Sequence, residues 1–168
     1  MKKPYNYLHI LVLFFSVQSV QMYGQQTEID TNIQSEYNHA IKLFNSKAYA
    51  AAQKYFIEVS ENSTIKNDLK ANADYYDAMC AIKLNQTNAD KKVTSFVNNY
   101  PSSTKKDRAY FNVGNYYFAN KKAAYALKWY SKVNLDALSL ANKKEINFKM
   151  GYAFLSTRNL DLAKNKFV

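Results

Sequence analysis

The side chains that could carry out catalysis or hold a metal ion are few and scattered in this sequence. Cys80 is the only cysteine, and His39 and His9 are the only histidines. A single cysteine forms no internal disulfide, and a metal site or a cysteine–histidine pair needs more ligands than these. Four glutamates are scattered singly, and no paired carboxylates are placed for acid–base work: Glu36, Glu58, Glu61 and Glu145. We therefore expect no enzyme, no metal centre and no cofactor.

Glycine is equally scarce. Gly24, Gly114 and Gly151 are the only three, which excludes the glycine-rich loops that cradle phosphates. Cys80 follows Met79 within an apolar stretch, and small thiols in such surroundings are usually packed in the interior. We expect Cys80 to be a buried core residue, and the alternative is an intermolecular disulfide.

The sequence is strongly basic, with 23 lysine and arginine residues against 13 acidic ones and a formal net charge of +10. Only Arg108 and Arg158 are arginines, although proteins that read nucleic acids rely on the planar guanidinium. The lysines recur as pairs: Lys91-Lys92, Lys105-Lys106, Lys121-Lys122 and Lys143-Lys144. We interpret these pairs as solvated residues at helix ends and expect no nucleic acid partner. Attraction to acidic partners, or peripheral attraction to anionic lipid, stays open.

The elements that must position these side chains recur with a fixed period. Small residues stand thirty-seven residues apart: Ala52, Ala89, Ala126 and Ala163. Four residues after each comes an apolar one: Phe56, Val93, Tyr130 and Phe167. A second set of small residues precedes them: Ala40, Ala78, Gly114 and Gly151. The 3.6-residue spacing within each unit predicts two short helices per repeat and an all-α fold.

Gly114 stands in the middle of a predicted helix, where glycine costs roughly 1 kcal/mol against alanine. We expect a close approach of the partner helix at Ala126 to offset this cost. The second repeat differs, because Ala78 and Ala89 are one residue closer than elsewhere, which predicts a shorter turn between its helices.

These small and aromatic positions resemble the tetratricopeptide repeat family. The best copy matches at Gly114, Tyr117, Ala126 and Tyr130, although the period exceeds the family's usual ~34 residues. The segment FVNNYPSS, Phe96–Ser103, is similar to a link in bacterial envelope members, including the outer-membrane assembly lipoprotein and the periplasmic partner of the Tol–Pal system. The resemblance implies a right-handed α-solenoid of about four helix-turn-helix repeats.

The first twenty-four residues are typical of a secretory signal peptide. Lys2 and Lys3 precede a short apolar run, Leu8–Val20, which is too short for the ~20 residues of a membrane span. Residues 25–31 form a predicted flexible lead-in, and residues 32–168 the repeats. We place the repeat boundaries at 32–64, 66–101, 103–137 and 138–168, with the last repeat incomplete.

The family register places two helix positions per repeat on a concave surface. The candidate partner-binding residues are Tyr37, Ile41, Tyr75, Met79, Phe111, Asn115, Phe148 and Tyr152. Tyrosine offers a large contact area with a polar tip, which suits recognition of a protein or peptide. The alternative is that these rings pack against the preceding helix as core.

The sequence thus predicts a non-catalytic scaffold or adaptor of the bacterial envelope, in the periplasm or at the outer membrane. The alternative is the sensor ectodomain of a larger receptor. Phe167 and Val168 end the sequence before the second helix of the fourth repeat reaches its further apolar anchor, so we expect the natural chain to continue. A homodimer through this open end is a further possibility.

Overall fold

The computed structural model describes residues 32–62 and 67–167, and the regular structure in these ranges is helical throughout. This confirms the all-α prediction for the described part of the chain. The predicted signal peptide (1–24) and lead-in (25–31) lie outside it. The helices are α1 (32–45), α2 (Tyr49–Glu61), α3 (Asn67–Lys83), α4 (Ala89–Asn99), α5 (Lys106–Ala119), α6 (Ala123–Tyr130), α7 (Leu140–Ser156) and α8 (Leu160–Phe167), with a 3₁₀ turn at Leu135–Ala137.

The helices pack in chain order. From α2 onward each helix contacts the next, and two contacts skip one helix: α3 with α5, and α5 with α7. The odd-numbered helices α3, α5 and α7 therefore lie side by side, and the even-numbered ones join them in helix-turn-helix pairs. The buried apolar residues of the described chain accordingly form three neighbouring clusters instead of one.

The first of these apolar clusters lies between α1, α2 and α3, the second between α3, α4 and α5, and the third between α5, α6 and α7. In α3, α5 and α7 the residue five positions before the small residue enters the preceding core. These residues are fully buried: Ala73, Ala109 and Ile146. The predicted repeat-packing residues are also buried, except Phe167: Ala40, Ala52, Phe56, Ala78, Ala89, Val93, Gly114, Ala126, Tyr130, Gly151 and Ala163.

Each helix pair turns through the same backbone geometry. One residue per turn has a positive φ between 56° and 66°: Lys47, Asn85, Lys121 and Arg158. In each case that residue donates its N–H to the carbonyl three residues back, and the next residue donates to the carbonyl five residues back. This is the Schellman arrangement, which satisfies the last carbonyls of the first helix. The left-handed conformation costs a non-glycine residue about 1–2 kcal/mol, which these hydrogen bonds help to offset.

The turn of the second pair is longer than the others, so the prediction of a shorter one is wrong. Five residues, 84–88, separate α3 from α4, against three residues, 46–48, between α1 and α2. Helix α4 begins only at Ala89, whereas α2 begins three residues before its matching alanine, Ala52. The one-residue shorter spacing between Ala78 and Ala89 therefore comes from a shorter start of the second helix and not from a shorter loop.

Gly114 is covered by an aromatic ring and not by Ala126. A Cβ built on Gly114 would meet two ring carbons of Tyr130 closer than 3.0 Å, a distance that real Cβ atoms do not show. Gly151 stands in the same relation to Phe167, whose ring carbons would lie 2.5–2.9 Å from such a Cβ. A bulky ring of the second helix thus lies against the glycine of the first helix at both positions.

Candidate functional site

An open groove crosses the side of the molecule formed by the odd-numbered helices. It encloses about 500 Å³ and is lined by side chains from α1, α3, α5 and α7 together with the segments that precede α5 and α7. The lining from α1 and α3 is mainly aromatic: Phe44, Tyr75, Tyr76, Met79 and Lys83. The rest is mainly polar: Thr104, Lys105, Arg108, Asn112, Ala137, Leu138, Ser139 and Asn142.

Only two of the eight predicted groove residues line this cavity, and both are largely core. Tyr75 is 7% exposed and Met79 is 4% exposed, since both pack into the second apolar cluster. Their polar ends remain near the groove, where Asn112 donates its side-chain N–H to the sulfur of Met79 over 3.1 Å. The expectation that the ring of Tyr75 is an exposed contact surface is therefore wrong.

Four other predicted residues are interior or structural. Phe111 is 4% exposed and belongs to the third cluster, while Tyr37 and Ile41 are half-buried against the first. Asn115 accepts the hydroxyl of Tyr130 at 2.7 Å and Lys149 at 3.0 Å, which ties α5 to α6 and α7. Phe111 is covered by α6 and α7, whereas Tyr37, Ile41 and Asn115 keep part of their surface exposed.

Phe148 and Tyr152 are the predicted groove residues that stay open. They are 54% and 49% exposed, and their rings contact each other at 4.9 Å and the ring of Phe167. They occupy the positions of Phe111 and Asn115 one period later. Among the described helices, however, none covers α7 in the way that α7 covers α5. Their exposure reflects their place in the series, and they lie outside the groove.

The aromatic floor of the groove holds a lysine that the sequence analysis placed in solvent. The ammonium of Lys105 lies 5.2 Å from the ring centre of Tyr75 and 5.1 Å from that of Tyr76, and it donates a hydrogen bond to Asn72. Burial lowers the pKa of Lys105. Cation–π contacts with the two rings hold this ammonium at the floor of the groove, so its positive charge contributes to the potential in the cavity.

Two further cations stand at the groove without an ionic partner. Lys83 and Arg108 are exposed, and neither they nor Lys105 form an ion pair within the described residues. Among the described residues that line the groove there is no aspartate or glutamate. Burial raises the pKa of the Tyr75 hydroxyl to about 12, although the nearby Arg108 opposes this shift. The groove is therefore positively charged and rich in hydrogen-bond donors.

A second cavity, between α2, α3 and α4, differs in its electrostatics. It encloses about 360 Å³, and its central carboxylates are already bound within the chain. Asp77 pairs with Lys92 at 2.6 Å and accepts Gln53 at 2.8 Å, and Asp74 accepts the hydroxyl of Tyr100 at 2.9 Å. These contacts join neighbouring helices, so we assign this cavity a structural role. Lys92 is thus a second lysine that the expectation of solvated pairs misplaced.

The residues with catalytic or metal-binding chemistry lie apart. Cys80 is fully buried in the first cluster, as predicted, and burial raises its thiol pKa to about 12. His39 packs edge to face on Tyr55 at 4.9 Å. Within residues 32–62 and 67–167, no three His, Cys, Asp or Glu side chains are grouped to hold a metal ion.

None of the described helices is both long and apolar enough to cross a membrane. Comparison of the chain with models of known protein families, with curated proteins and with solved structures finds no match. Assignment of a function to this chain therefore depends on its own geometry and charge.

Proposed function

We propose that this chain is a non-catalytic scaffold or adaptor of the bacterial cell envelope that binds another protein or peptide in the groove across α1, α3, α5 and α7. The observation that carries the proposal is the groove itself, because four helices supply aromatic, cationic and amide side chains to one open cavity of about 500 Å³. Clefts of this size with a few convergent polar groups are the usual sites of ligand recognition.

The architecture that we propose for it is a right-handed solenoid of about four tetratricopeptide-like repeats. Support comes from the buried small and large residues that recur at a 37-residue spacing, and from the four turns of one geometry. The contacts of α3 with α5 and of α5 with α7 fit the same architecture. In such folds the first helices of the repeats line an extended binding surface.

The envelope location follows from the signal-like N-terminus and from the FVNNYPSS segment. In that segment Pro101 begins the turn after α4, and Tyr100 anchors it by donating its hydroxyl to Asp74. A link fixed in this way sets the angle between successive helix pairs, which makes the groove a preformed surface.

Selection from a displayed library of random peptides on the purified chain tests the binding function. Thr104→Trp places an indole in the groove, and Thr94→Trp makes the same change on the exposed side of α4. We expect peptides enriched on the parent to lose about tenfold or more in affinity for Thr104→Trp and to bind Thr94→Trp unchanged. Failure to enrich any peptide, or equal binding to the two variants, would overturn the proposal.

A further inference from the structure

We propose that the groove takes an acidic peptide segment, whose side-chain carboxylates are bound by Lys83 and Arg108; this inference rests on the proposed function. Both cations lie on the groove lining, both are exposed, and neither has an anionic partner in the described part of the chain. Some lysines elsewhere are paired, as Lys92 is with Asp77, and others, such as Lys91, are exposed without an ion pair in the described chain. What distinguishes the groove is that three cations, Lys83, Lys105 and Arg108, line one cavity.

The surroundings of these cations strengthen their attraction for carboxylates. Lys105 adds a third positive charge held on the rings of Tyr75 and Tyr76, and none of the described residues that line the cavity is acidic. Asn112 and Asn142 supply amide groups at the same wall. A concave, partly apolar site screens charges less than a flat surface does, so the field of the three cations is concentrated there.

The roles of the three cations differ. The ammonium of Lys105 already has two rings and Asn72 as partners, so it contributes field and packing to the floor. Lys83 and Arg108 are exposed and form no ion pair with the described residues, so they can meet a carboxylate. The guanidinium of Arg108 can accept one in bidentate fashion, with two parallel N–H donors. An extended segment fits this curved cavity better than a flat bilayer does.

Fluorescence anisotropy with labelled octapeptides tests the inference. We expect alternating glutamate–alanine peptide to bind the parent chain, and alternating glutamine–alanine peptide to bind at least about tenfold more weakly. Lys83→Ala and Arg108→Ala are each expected to weaken the acidic peptide about fivefold, and the affinity to fall as salt is raised. Lys91→Ala removes the same charge on exposed α4 and is expected to change affinity less than twofold.

Three outcomes would overturn the inference. Equal binding of the two octapeptides shows that carboxylates are not recognised. If Lys91→Ala lowers the affinity for the acidic peptide as much as Lys83→Ala and Arg108→Ala do, the peptide is attracted to the basic protein in general and not to the groove. The third outcome is that the acidic peptide does not bind, whereas vesicles with anionic headgroups bind in a manner that depends on Lys83 and Arg108. This result shows that the ligand is a membrane. If library peptides still bind in a manner blocked by Thr104→Trp, the proposed function stands and only its acidic partner is rejected.

Discussion

Replacing Gly114 by alanine adds one methyl group beneath the ring of Tyr130. The ring cannot move outward freely, because Tyr130 is only 2% exposed and its hydroxyl is held by Asn115 at 2.7 Å. The new Cβ would approach two ring carbons closer than 3.0 Å, so either the ring or helix α6 must shift. The same ring belongs to the third apolar cluster, and a shift there disturbs the contact of α6 with α7.

The expected magnitude combines opposing terms. Overpacking of a filled core costs about 1–3 kcal/mol, and weakening the Tyr130–Asn115 hydrogen bond adds about 0.5–1.5 kcal/mol. Alanine returns roughly 1 kcal/mol through its better helix propensity. We therefore expect Gly114→Ala to lower the free energy of unfolding by about 0.5–3.5 kcal/mol.

Gly151→Ala is the matched control, because it makes the same change beneath the ring of Phe167. That ring is 47% exposed, and the atoms that crowd the new Cβ lie at its outer end, so it can swing away at little cost. The helix propensity then dominates, and we expect stability to be unchanged or raised by up to about 1 kcal/mol. Urea denaturation followed by circular dichroism measures both variants, with equal slopes required for the comparison. A Gly114→Ala variant as stable as the parent, or equal losses at both glycines, would refute the reasoning.

Three further predictions concern packing, charge and pH. Ala126→Leu, at a fully buried site on α6, should lower the free energy of unfolding by about 1–3 kcal/mol, whereas Lys128→Leu on the exposed side should change it by less than about 0.5 kcal/mol; equal urea midpoints would contradict this. Lys92→Ala should cost about 1 kcal/mol, because its aspartate partner loses an ion pair, and exposed Lys91→Ala should cost almost nothing in the same assay. Burial, then a hydrogen bond to an aspartate, raises the pKa of Tyr117 to about 12 from its usual 10.0, so its contribution to stability is complete below pH 10 and falls between pH 10 and 12. Stability of Tyr117→Phe should therefore fall less steeply than that of the parent over this range, and identical slopes would contradict it.

Several features of the fold could be predicted from spacing alone. The buried alanines lie where the period placed them. Helix α6 ends at Tyr130, although Val133, at the next helical step, is still buried. A short turn there leads into the 3₁₀ segment that positions α7, and helical spacing alone does not reveal such an early end.

The candidate site was predicted less well. The family register pointed to the odd-numbered helices, which line the groove, but it assigned Phe111 to a surface when it is core, and it did not include Arg108. An observable signal did exist, since Arg108 is one of two arginines in a lysine-rich chain. Its significance depends on neighbours from another helix, which no local pattern identifies.

The helices and their buried sides can be predicted from the sequence alone, because the small and bulky residues recur at a regular spacing. Burial within a helix pair follows from local periodicity, because residues three or four apart share one side of a helix. Which aromatic rings are exposed, and which cations lie close together, depends on the tertiary structure. Phe111 and Phe148 occupy the same repeat position, yet one is buried by α7 and the other is open because no described helix lies over it. Lys83 and Arg108 share a groove only because α3 and α5 lie side by side, since charge and exposure depend on neighbours in space and not on neighbours in sequence.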